Sequence, residues 1–214
     1  MSRSSNTDSR RAQIVSAMLP VLARNGYGKA TVMEIARQAG LTPGLIHYHF
    51  ASKRDILVSL VHSMVEVANA RVDGQPGSLS AMERLKAHID SRLALGQGAN
   101  AEMAAAWVMI GAEAVREPEV RAVYQEAVGA ELAALQGLLR ECLAVAGRDT
   151  QAAPRIAAAL LAIMEGAFQL ASAAPDVMPK GYAASAAFEH ARLSVEAAPR
   201  RKSARPPRAA GHHE

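Results

Sequence analysis

The chain has 214 residues, half of them hydrophobic, and a formal net charge of +4. That length allows one large domain or two small ones. No uncharged run approaches the roughly 18 apolar residues of a transmembrane helix, so we expect no membrane partner. The polar start, residues 1–11, lacks the apolar stretch of a signal peptide. Cys142 is the only cysteine and cannot form an intrachain disulfide, which indicates a reducing, cytoplasmic setting.

Charge is divided unevenly along the chain. Residues 1–71 hold nine Lys or Arg and four Asp or Glu, whereas residues 72–197 hold ten and fifteen. Residues 198–214 hold five basic residues and one acidic residue. A basic first part joined to an acidic middle suits a DNA-binding head on a self-associating body, although basic surfaces often serve only solubility.

Apolar residues at helical spacing, abundant alanine and few aromatic residues predict an all-α fold of about nine helices. The first helix is predicted over residues 10–25, and two short capped helices follow between residues 31 and 50. The later helices are predicted over residues 53–71, 80–95, 100–116, 118–146, 151–174 and 182–197. Residues 10–71 would form a first domain with its connecting helix, and residues 79–197 a second, larger helical domain. Residues 1–9 and 198–214 lack apolar periodicity, so we expect a disordered arm and a disordered basic tail.

Three helix starts follow one another closely after the first predicted helix. Thr31, with Glu34 three residues later, forms a capping box. Gly40 stands where a helix ends, because glycine adopts the left-handed conformation without a Cβ penalty. Thr42 then caps a second short helix with Pro43 at its first position. Two short helices joined by a tight glycine turn predict a helix-turn-helix, whose second helix enters a DNA groove.

The outward side chains of this segment suit contact with DNA. The candidate phosphate contacts are Thr31, Thr42, Tyr48, His49 and Lys53, and the candidate base-facing residues are Met33, Pro43, Gly44, Leu45 and His47. Arg11, nearer the start, is either a backbone contact or a solvated charge. A capped helical hairpin also occurs in proteins that do not bind DNA. His47 and His49 could suggest a metal site, but residues two apart on a helix point in different directions, so we predict none.

The same segment resembles the DNA-binding domain of the TetR family of bacterial repressors over about residues 10–60. The shared pattern comprises Gly26-Tyr27, Thr31, Ile35-Ala36, Ala39-Gly40-Leu41-Thr42, Leu45-Ile46-His47-Tyr48-His49-Phe50 and Ser52-Lys53. The resemblance implies that residues 10–71 are a three-helix DNA-binding domain with its connecting helix. It implies that residues 79–197 are a larger helical domain that binds a small-molecule effector and forms the dimer. It implies a transcriptional regulator that binds palindromic double-stranded operator DNA as a homodimer.

The eighth predicted helix carries an apolar seam with steps of four and three residues, which is the spacing of a helix-packing seam. Its members are Ile156, Leu160, Ile163, Ala167, Leu170 and Ala174. In the TetR family the last two helices of each subunit form the dimer interface. The resemblance therefore assigns the interface to Ile156, Leu160, Ile163, Ala167, Leu170, Phe188 and Ala191. The seam could instead pack only within the subunit.

The second half is similar to the choline-responsive repressors of glycine betaine synthesis. The resemblance rests on Trp107, on Arg116-Glu117-Pro118 and on Glu165-Gly166-Ala167-Phe168. It implies a pocket among helices 4 to 8, lined by some of His62, His88, Met103, Trp107, Tyr124, Glu165 and Phe168. Aromatic faces and a carboxylate hold a cation such as choline. Those repressors carry a second tryptophan where this chain has Gly111, which thins the aromatic cage, and each candidate could equally be core.

No enzyme motif accompanies these features. The sequence has no Gly-rich phosphate loop, Gly-x-Ser-x-Gly elbow, His-Glu-x-x-His or paired cysteine motif, so we expect no catalysis and no cofactor. An effector-controlled DNA-binding regulator is the leading interpretation. A DNA-binding protein without a ligand and, more remotely, a helical enzyme are the alternatives.

Overall fold

The computed structural model describes residues 3–73, 79–93 and 101–201, and within these ranges the chain is helical with no extended strand. The helices are α1 Arg3–Lys29, α2 Val32–Ala39, α3 Pro43–His49, α4 Lys53–Asp73, α5 Ala81–Leu93, α6 Ala101–Ala114, α7 Pro118–Val145, α8 Ala153–Ala173 and α9 Tyr182–Ala197. A 3₁₀ turn, Thr150–Ala152, precedes α8. The all-α prediction is confirmed, and from α4 onward the predicted ends lie close to the observed ones.

The first helix departs most from its prediction. It begins at Arg3, so it includes residues 3–9 of the arm that the sequence predicted to be disordered. The physical reason is that no glycine or proline precedes Pro20, and a helix without a breaker continues into solvent. Gly26, with φ +71° and ψ 168°, is the one non-helical residue inside α1. The helical backbone is therefore interrupted beside the predicted end, and Pro20 does not interrupt it.

The helix-turn-helix forms as its capping residues predict. The Thr31 hydroxyl accepts a hydrogen bond from the Glu34 amide at 3.1 Å, and the Glu34 carboxylate accepts one from the Thr31 amide at 3.0 Å. Gly40 ends α2 with φ +65°. The Thr42 hydroxyl accepts from the Leu45 amide at 3.4 Å and starts α3. Such caps each contribute about 1 kcal/mol, so local chemistry fixes the ends of both helices.

Two apolar cores hold the helices together, and they do not follow the predicted domain boundary. The first combines α1 to α4 with α6 and the start of α7, and its larger members include Ile14, Met18, Leu22, Ile35, Ile46, Ile56, Leu57, Ile110 and Val120. The second combines α5 with α7, α8 and α9, and includes Leu85, Ile89, Leu135, Leu139, Leu160, Met164 and Val195. Since burying each large apolar side chain contributes about 1.5–3 kcal/mol, α6 is held firmly to the DNA-binding head.

The segment after α9 is partly ordered rather than free. The Asp149 amide donates to the Pro199 carbonyl at 2.8 Å, and the Arg201 amide donates to the Gly147 carbonyl at 3.1 Å. Ala198 is buried. Residues 198–201 of the predicted tail are therefore held by backbone hydrogen bonds to the α7–α8 turn. The rest of the tail, residues 202–214, lies outside the described residues, as do residues 1–2, 74–78 and 94–100, where the predicted end of the fifth helix and start of the sixth fall.

The segment Thr150–Ala173 is long and apolar enough to cross a membrane by length and composition alone. The sequence expectation considered only uncharged runs. Two charged residues, Arg155 and Glu165, still leave an 18-residue window of high mean hydropathy. A core helix of a helical domain has the same composition, and α8 contributes several residues to the second core. Only 33% of the apolar window is buried within the subunit, so α8 also has an exposed apolar side.

Candidate DNA-binding surface and effector pocket

The predicted DNA contacts lie on α2, on α3 and on the residues that cap or follow them. Seven are exposed and three are partly buried. The exposed ones are Thr31, Met33, Thr42, Pro43, Gly44, His47 and Tyr48, and the partly buried ones are Leu45, His49 and Lys53. Met33 and Tyr48 are 71% and 79% exposed, although both are large and partly apolar. Such side chains on an exposed face suit a surface that becomes covered by a partner.

Contacts with α1 and with the first core fix the orientation of α3. Ile46 and Phe50 are buried in the first core. The Arg11 guanidinium donates to the His49 carbonyl at the end of α3 and lies 4.2 Å from the centre of the Phe50 ring. The sequence left Arg11 as a backbone contact or a solvated charge, but the structure places it as a cap on the recognition helix. Its partners lie almost 40 residues away, so no local pattern indicated this role.

Lys53 has a comparable structural position. Its ammonium donates to the carbonyls of Tyr27 at 2.7 Å and Ala30 at 3.0 Å, and it lies 4.0 Å from the centre of the Tyr27 ring. Burial lowers the pKa of Lys53, and the nearby carboxylates of Glu113 and Glu117 offset only part of that effect. Two of the three ammonium hydrogens are thus used inside the protein. The predicted phosphate contact would have to share this group with the end of α1.

Helix α6 joins the DNA-binding head to the rest of the molecule. One side of α6 is buried in the first core through Ala106, Ile110 and Ala114. At the end of α1, a Cβ placed on Gly26 would lie 3.1 Å from Cε of Met109. Met103 and Trp107, one to two turns before Ile110, pack partly against the same core and also line a cavity. The sequence indicated α4 as the connection to the head, whereas the contacts show that α6 is a second and direct one.

The cavity has a volume of about 220 Å³ and lies between α4, α5, α6, α7 and α8. Its wall is mainly apolar and includes Met64, Val65, Ala68, Ala127, Val128, Leu161 and Met164. Four of the predicted effector contacts line it, namely Met103, Trp107, Glu165 and Phe168. An apolar cavity with a few polar groups is the usual form of a small-molecule site.

Glu165 is the central polar group of this wall. The Trp107 indole N–H donates to its two carboxylate oxygens at 3.1 and 3.0 Å, and the Tyr124 hydroxyl donates to Oε2 at 2.9 Å. Burial raises the pKa of Glu165 above its ordinary value, although both hydrogen bonds oppose the shift. Within the described part of the chain, no basic side chain forms an ion pair with it. The carboxylate is held in position but its charge is not neutralised.

Glu131, a second carboxylate on the wall, is neutralised from within the protein. His88 Nε2 lies 2.6 Å from Glu131 Oε1, and Arg92 Nε donates to Oε2 at 3.0 Å. Arg92 also donates to the Asn69 side chain of α4 at 2.8 Å. Burial acts to raise the pKa of Glu131, but His88 and Arg92 outweigh it and the pKa is lowered. His88 therefore supports the wall from behind and does not line the cavity, contrary to its prediction as an effector contact.

Two further predicted contacts lie away from the cavity surface. His62 is exposed and lines a separate cavity between α4 and α7. Tyr124 packs behind the wall, with its ring centre 5.0 Å from that of Trp107. A Cβ placed on Gly111 would lie 3.3 Å from the Tyr124 ring, so the tyrosine occupies the space that a side chain at residue 111 would need. Helical spacing gives the face on which a side chain lies but not its depth, so it could not show that these two residues stand apart from the first cavity.

Comparison with known proteins identifies the class. Residues 14–60 match the model of the bacterial regulatory proteins of the tetR family, and residues 81–195 match the C-terminal domain of BetI-type transcriptional repressors. The second match covers more than half of the chain. The chain belongs to the TetR family, with a BetI-type C-terminal domain. Both models describe transcriptional regulators that bind DNA or repress transcription.

Individual relatives agree with this assignment. The chain is 34% identical over 113 residues to the HTH-type transcriptional regulator BetI of Rhizobium meliloti, covering 52% of this chain and 55% of that protein. It is 30% identical over 112 residues to BetI of Escherichia coli, covering 51% and 57%. The chain thus spans about half the length of the curated relatives it matches.

Solved structures show the same fold. A TetR-family regulator from Rhodococcus sp. superposes with a TM-score of 0.76 at 22% identity, covering 87% of this chain and 99% of that one. A transcriptional regulator from Saccharomonospora viridis, crystallised in complex with choline, superposes with a TM-score of 0.69 at 23% identity, covering 89% and 97%. At these identities the comparison concerns the fold alone.

The predicted interface seam of this TetR-family chain faces mainly inward. Ile156, Leu160, Ala167 and Ala191 are at most 5% exposed within the subunit, Ile163 and Phe188 pack partly against the same core, and only Leu170, at 39%, is clearly exposed. Most of the predicted interface residues are therefore used by the subunit's own core, because α8 is apolar on nearly all sides. The exposed side of α8 and α9 carries Ala158, Ala159, Ala162, Gln169, Leu170, Ala173 and Leu193.

Proposed function

We propose that this TetR-family regulator binds a palindromic operator in the cytoplasm as a homodimer and releases it when a small organic cation fills the cavity. The observation that carries the proposal is the position of α6. Ile110 is fully buried in the core of the DNA-binding head, and Trp107, about one turn earlier on the same helix, lines the cavity. A ligand that favours one position of α6 therefore changes the position of the head.

The magnitude required is modest. A ligand shifts an equilibrium only by its difference in affinity for the two arrangements. A tenfold difference at each site corresponds to about 1.4 kcal/mol, and a dimer with two occupied sites doubles that value. This is comparable to a few altered contacts between α6 and α1, such as the one between Met109 and Gly26.

The proposed class of effector follows from Glu165. A buried carboxylate without a cationic partner is unfavourable, and a cationic ligand would supply that partner. The faces of Trp107 and Phe168 add the aromatic surface that organic cations prefer. The complex of the Saccharomonospora viridis regulator with choline supports a cation of this kind. Tyr124, which fills the space above Gly111, lies behind Trp107 and holds the Glu165 carboxylate in place.

The homodimer is supported by the exposed apolar side of α8 and α9. Leu170 and Leu193 are 39% and 50% exposed, and they lie among small residues that allow a second helix to approach closely. A second copy would cover this side and place the two heads on half-sites about one turn of DNA apart.

Footprinting on DNA flanking the gene tests the function directly. A symmetric footprint that choline or tetramethylammonium removes, at concentrations that also change Trp107 fluorescence, would support it. Trp107 is the only tryptophan, so its emission reports the cavity. Trp107→Ala should retain DNA binding and lose the response. A footprint insensitive to all organic cations would favour a regulator without an effector, and no footprint would contradict operator binding.

A further inference from the structure

A second cavity adjoins the one that holds Glu165. It has a volume of about 270 Å³ and lies between α4 and α7. Val65 of α4 and Ala127 and Ala130 of α7 line both cavities. The small side chains of the two alanines leave only a thin partition, and all three residues are apolar. The two spaces thus form adjacent chambers along the α4–α7 contact.

The first cavity is larger than a small cation needs. An apolar cavity of roughly 150 Å³ accommodates benzene. A trimethylammonium group is smaller than benzene, so it would leave part of a 220 Å³ space unfilled. The remaining wall is apolar, with side chains such as Met64, Val65 and Leu161. A ligand that binds well should therefore carry apolar atoms in addition to its charge.

The second cavity extends this apolar path. Its floor is formed by the buried side chains of Val61 and Val123. Its polar members, His62, Glu66 and Glu126, are all exposed and stand at the rim. An apolar chain that entered from the first cavity would lie on the valines and reach solvent between the polar residues.

We propose that the effector is an organic cation with an apolar tail, whose head lies at Glu165 and whose tail runs past Val65 and Ala127 into the second cavity. This inference rests on the proposed function. The tail would separate α4 from α7, and α4 continues directly from the helix-turn-helix at Lys53. The cationic end of the ligand is then recognised by its charge. The apolar tail adds affinity and displaces α4.

A series of alkyltrimethylammonium ions tests the tail. Tetramethyl-, butyltrimethyl-, hexyltrimethyl- and octyltrimethylammonium are titrated into the full-length dimer below their micelle concentrations, with Trp107 fluorescence and calorimetry as readouts. We expect affinity to rise by about fourfold for each fully buried methylene group and to level off once the tail reaches solvent. Operator release should rise with it. Equal affinity along the series overturns the tail but leaves a cation site in place, whereas no binding by any member contradicts both.

Ala127→Phe locates the tail. A phenyl ring at the partition should block the second cavity, so the gain in affinity from tetramethylammonium to octyltrimethylammonium should be lost, whatever the affinity for tetramethylammonium itself. Ala133→Phe is the matched control, because Ala133 is exposed on the same helix and lines neither cavity. Unchanged octyltrimethylammonium affinity in a folded Ala127→Phe protein would show that the tail lies elsewhere. The wild-type series decides the question if Ala127→Phe does not fold.

Discussion

The Tyr124 ring of α7 lies directly above Gly111 of α6, where an added Cβ would come within 3.3 Å of Cζ and the hydroxyl oxygen. The same hydroxyl donates to Glu165 Oε2 at 2.9 Å. Burial and then the charge of Glu165 raise the pKa of Tyr124, so the hydroxyl remains a donor at neutral pH. A glycine on one helix thus sets the position of a carboxylate on another.

Gly111→Ala tests whether the packing of Tyr124 against Gly111 positions Glu165, independently of helix stability. A new methyl group must displace the Tyr124 ring by a few tenths of an ångström, which should weaken the hydrogen bond to Glu165. We expect affinity for tetramethylammonium to fall about threefold to tenfold, equivalent to roughly 1 kcal/mol. The substitution itself favours the helix by up to about 1 kcal/mol, so the melting temperature should not fall much.

Gly129→Ala is the control for this experiment, since a Cβ there meets nothing within 4 Å. It should stabilise α7 similarly and leave cation affinity unchanged. Calorimetric titrations of both variants give the comparison. If Gly111→Ala bound tetramethylammonium as tightly as the wild type, Tyr124 would not position the carboxylate.

Sequence reasoning succeeded where the interactions are local. The caps at Thr31 and Gly40 involve partners a few residues away, so residue type and spacing were sufficient. It failed where the partner is distant in the chain. Arg11 contacts residue 49 and Lys53 contacts residue 27, and no periodicity encodes such pairs. The seam on α8 shows the same limit, because spacing identifies an apolar stripe but not whether its own core or a second subunit covers it.

Glu165→Gln should stabilise the protein without ligand at neutral pH. Because burial raises the pKa of Glu165, the folded state binds the proton more tightly than the unfolded state. That contribution is fully present below the unfolded pKa and is lost as pH rises through the raised folded pKa. Above it, the ionised carboxylate destabilises the fold, and the neutral amide removes this effect. We expect an increase of about 2–4 °C in melting temperature for each kcal/mol regained.

The ligand should show the opposite dependence on pH. A cation binds the ionised carboxylate, so affinity should fall as pH is lowered through the folded pKa of Glu165, and Glu165→Gln should be weak at every pH. Melting curves and titrations between acidic and neutral pH measure both effects. Glu126→Gln, on an exposed position of α7, should change neither. A melting temperature of Glu165→Gln below that of the wild type at neutral pH would mean that the charge is already balanced.

Lys53→Met tests whether the ammonium serves the fold or the DNA. The substitution keeps the stem but removes the donors to the carbonyls of Tyr27 and Ala30. Hydrogen bonds from a charged group contribute about 1.5–3 kcal/mol each in favourable settings, and partial exposure reduces this here. We expect a lower melting temperature together with weaker operator binding. Loss of a phosphate contact would in addition reduce the slope of log affinity against log salt by about one.

Tyr48→Ala provides the contrasting variant on the same surface. Tyr48 is 79% exposed and α3 does not need it for packing, so the melting temperature should stay within about 1 °C while operator affinity falls. Thermal melts and operator titrations at two salt concentrations distinguish the two residues. An unchanged melting temperature for Lys53→Met, with a flatter salt dependence of operator binding, would show that Lys53 serves DNA binding alone.

The dimer interface is decided by two glutamate substitutions on α8. Leu160 is fully buried within the subunit and Ala162 is exposed. Leu160→Glu would bury an unpaired charge in the second core and destabilise the fold by several kcal/mol. Ala162→Glu would place the charge on the exposed apolar side, so the subunit should fold and fail to pair.

Circular dichroism should therefore show a native, helical Ala162→Glu protein. Sedimentation should show a monomer, and operator titration should show weak binding. Ala133→Glu, at an exposed position of α7, should remain dimeric. A dimeric Ala162→Glu protein at micromolar concentration, or a folded monomeric Leu160→Glu protein, would place the interface on the other side of α8.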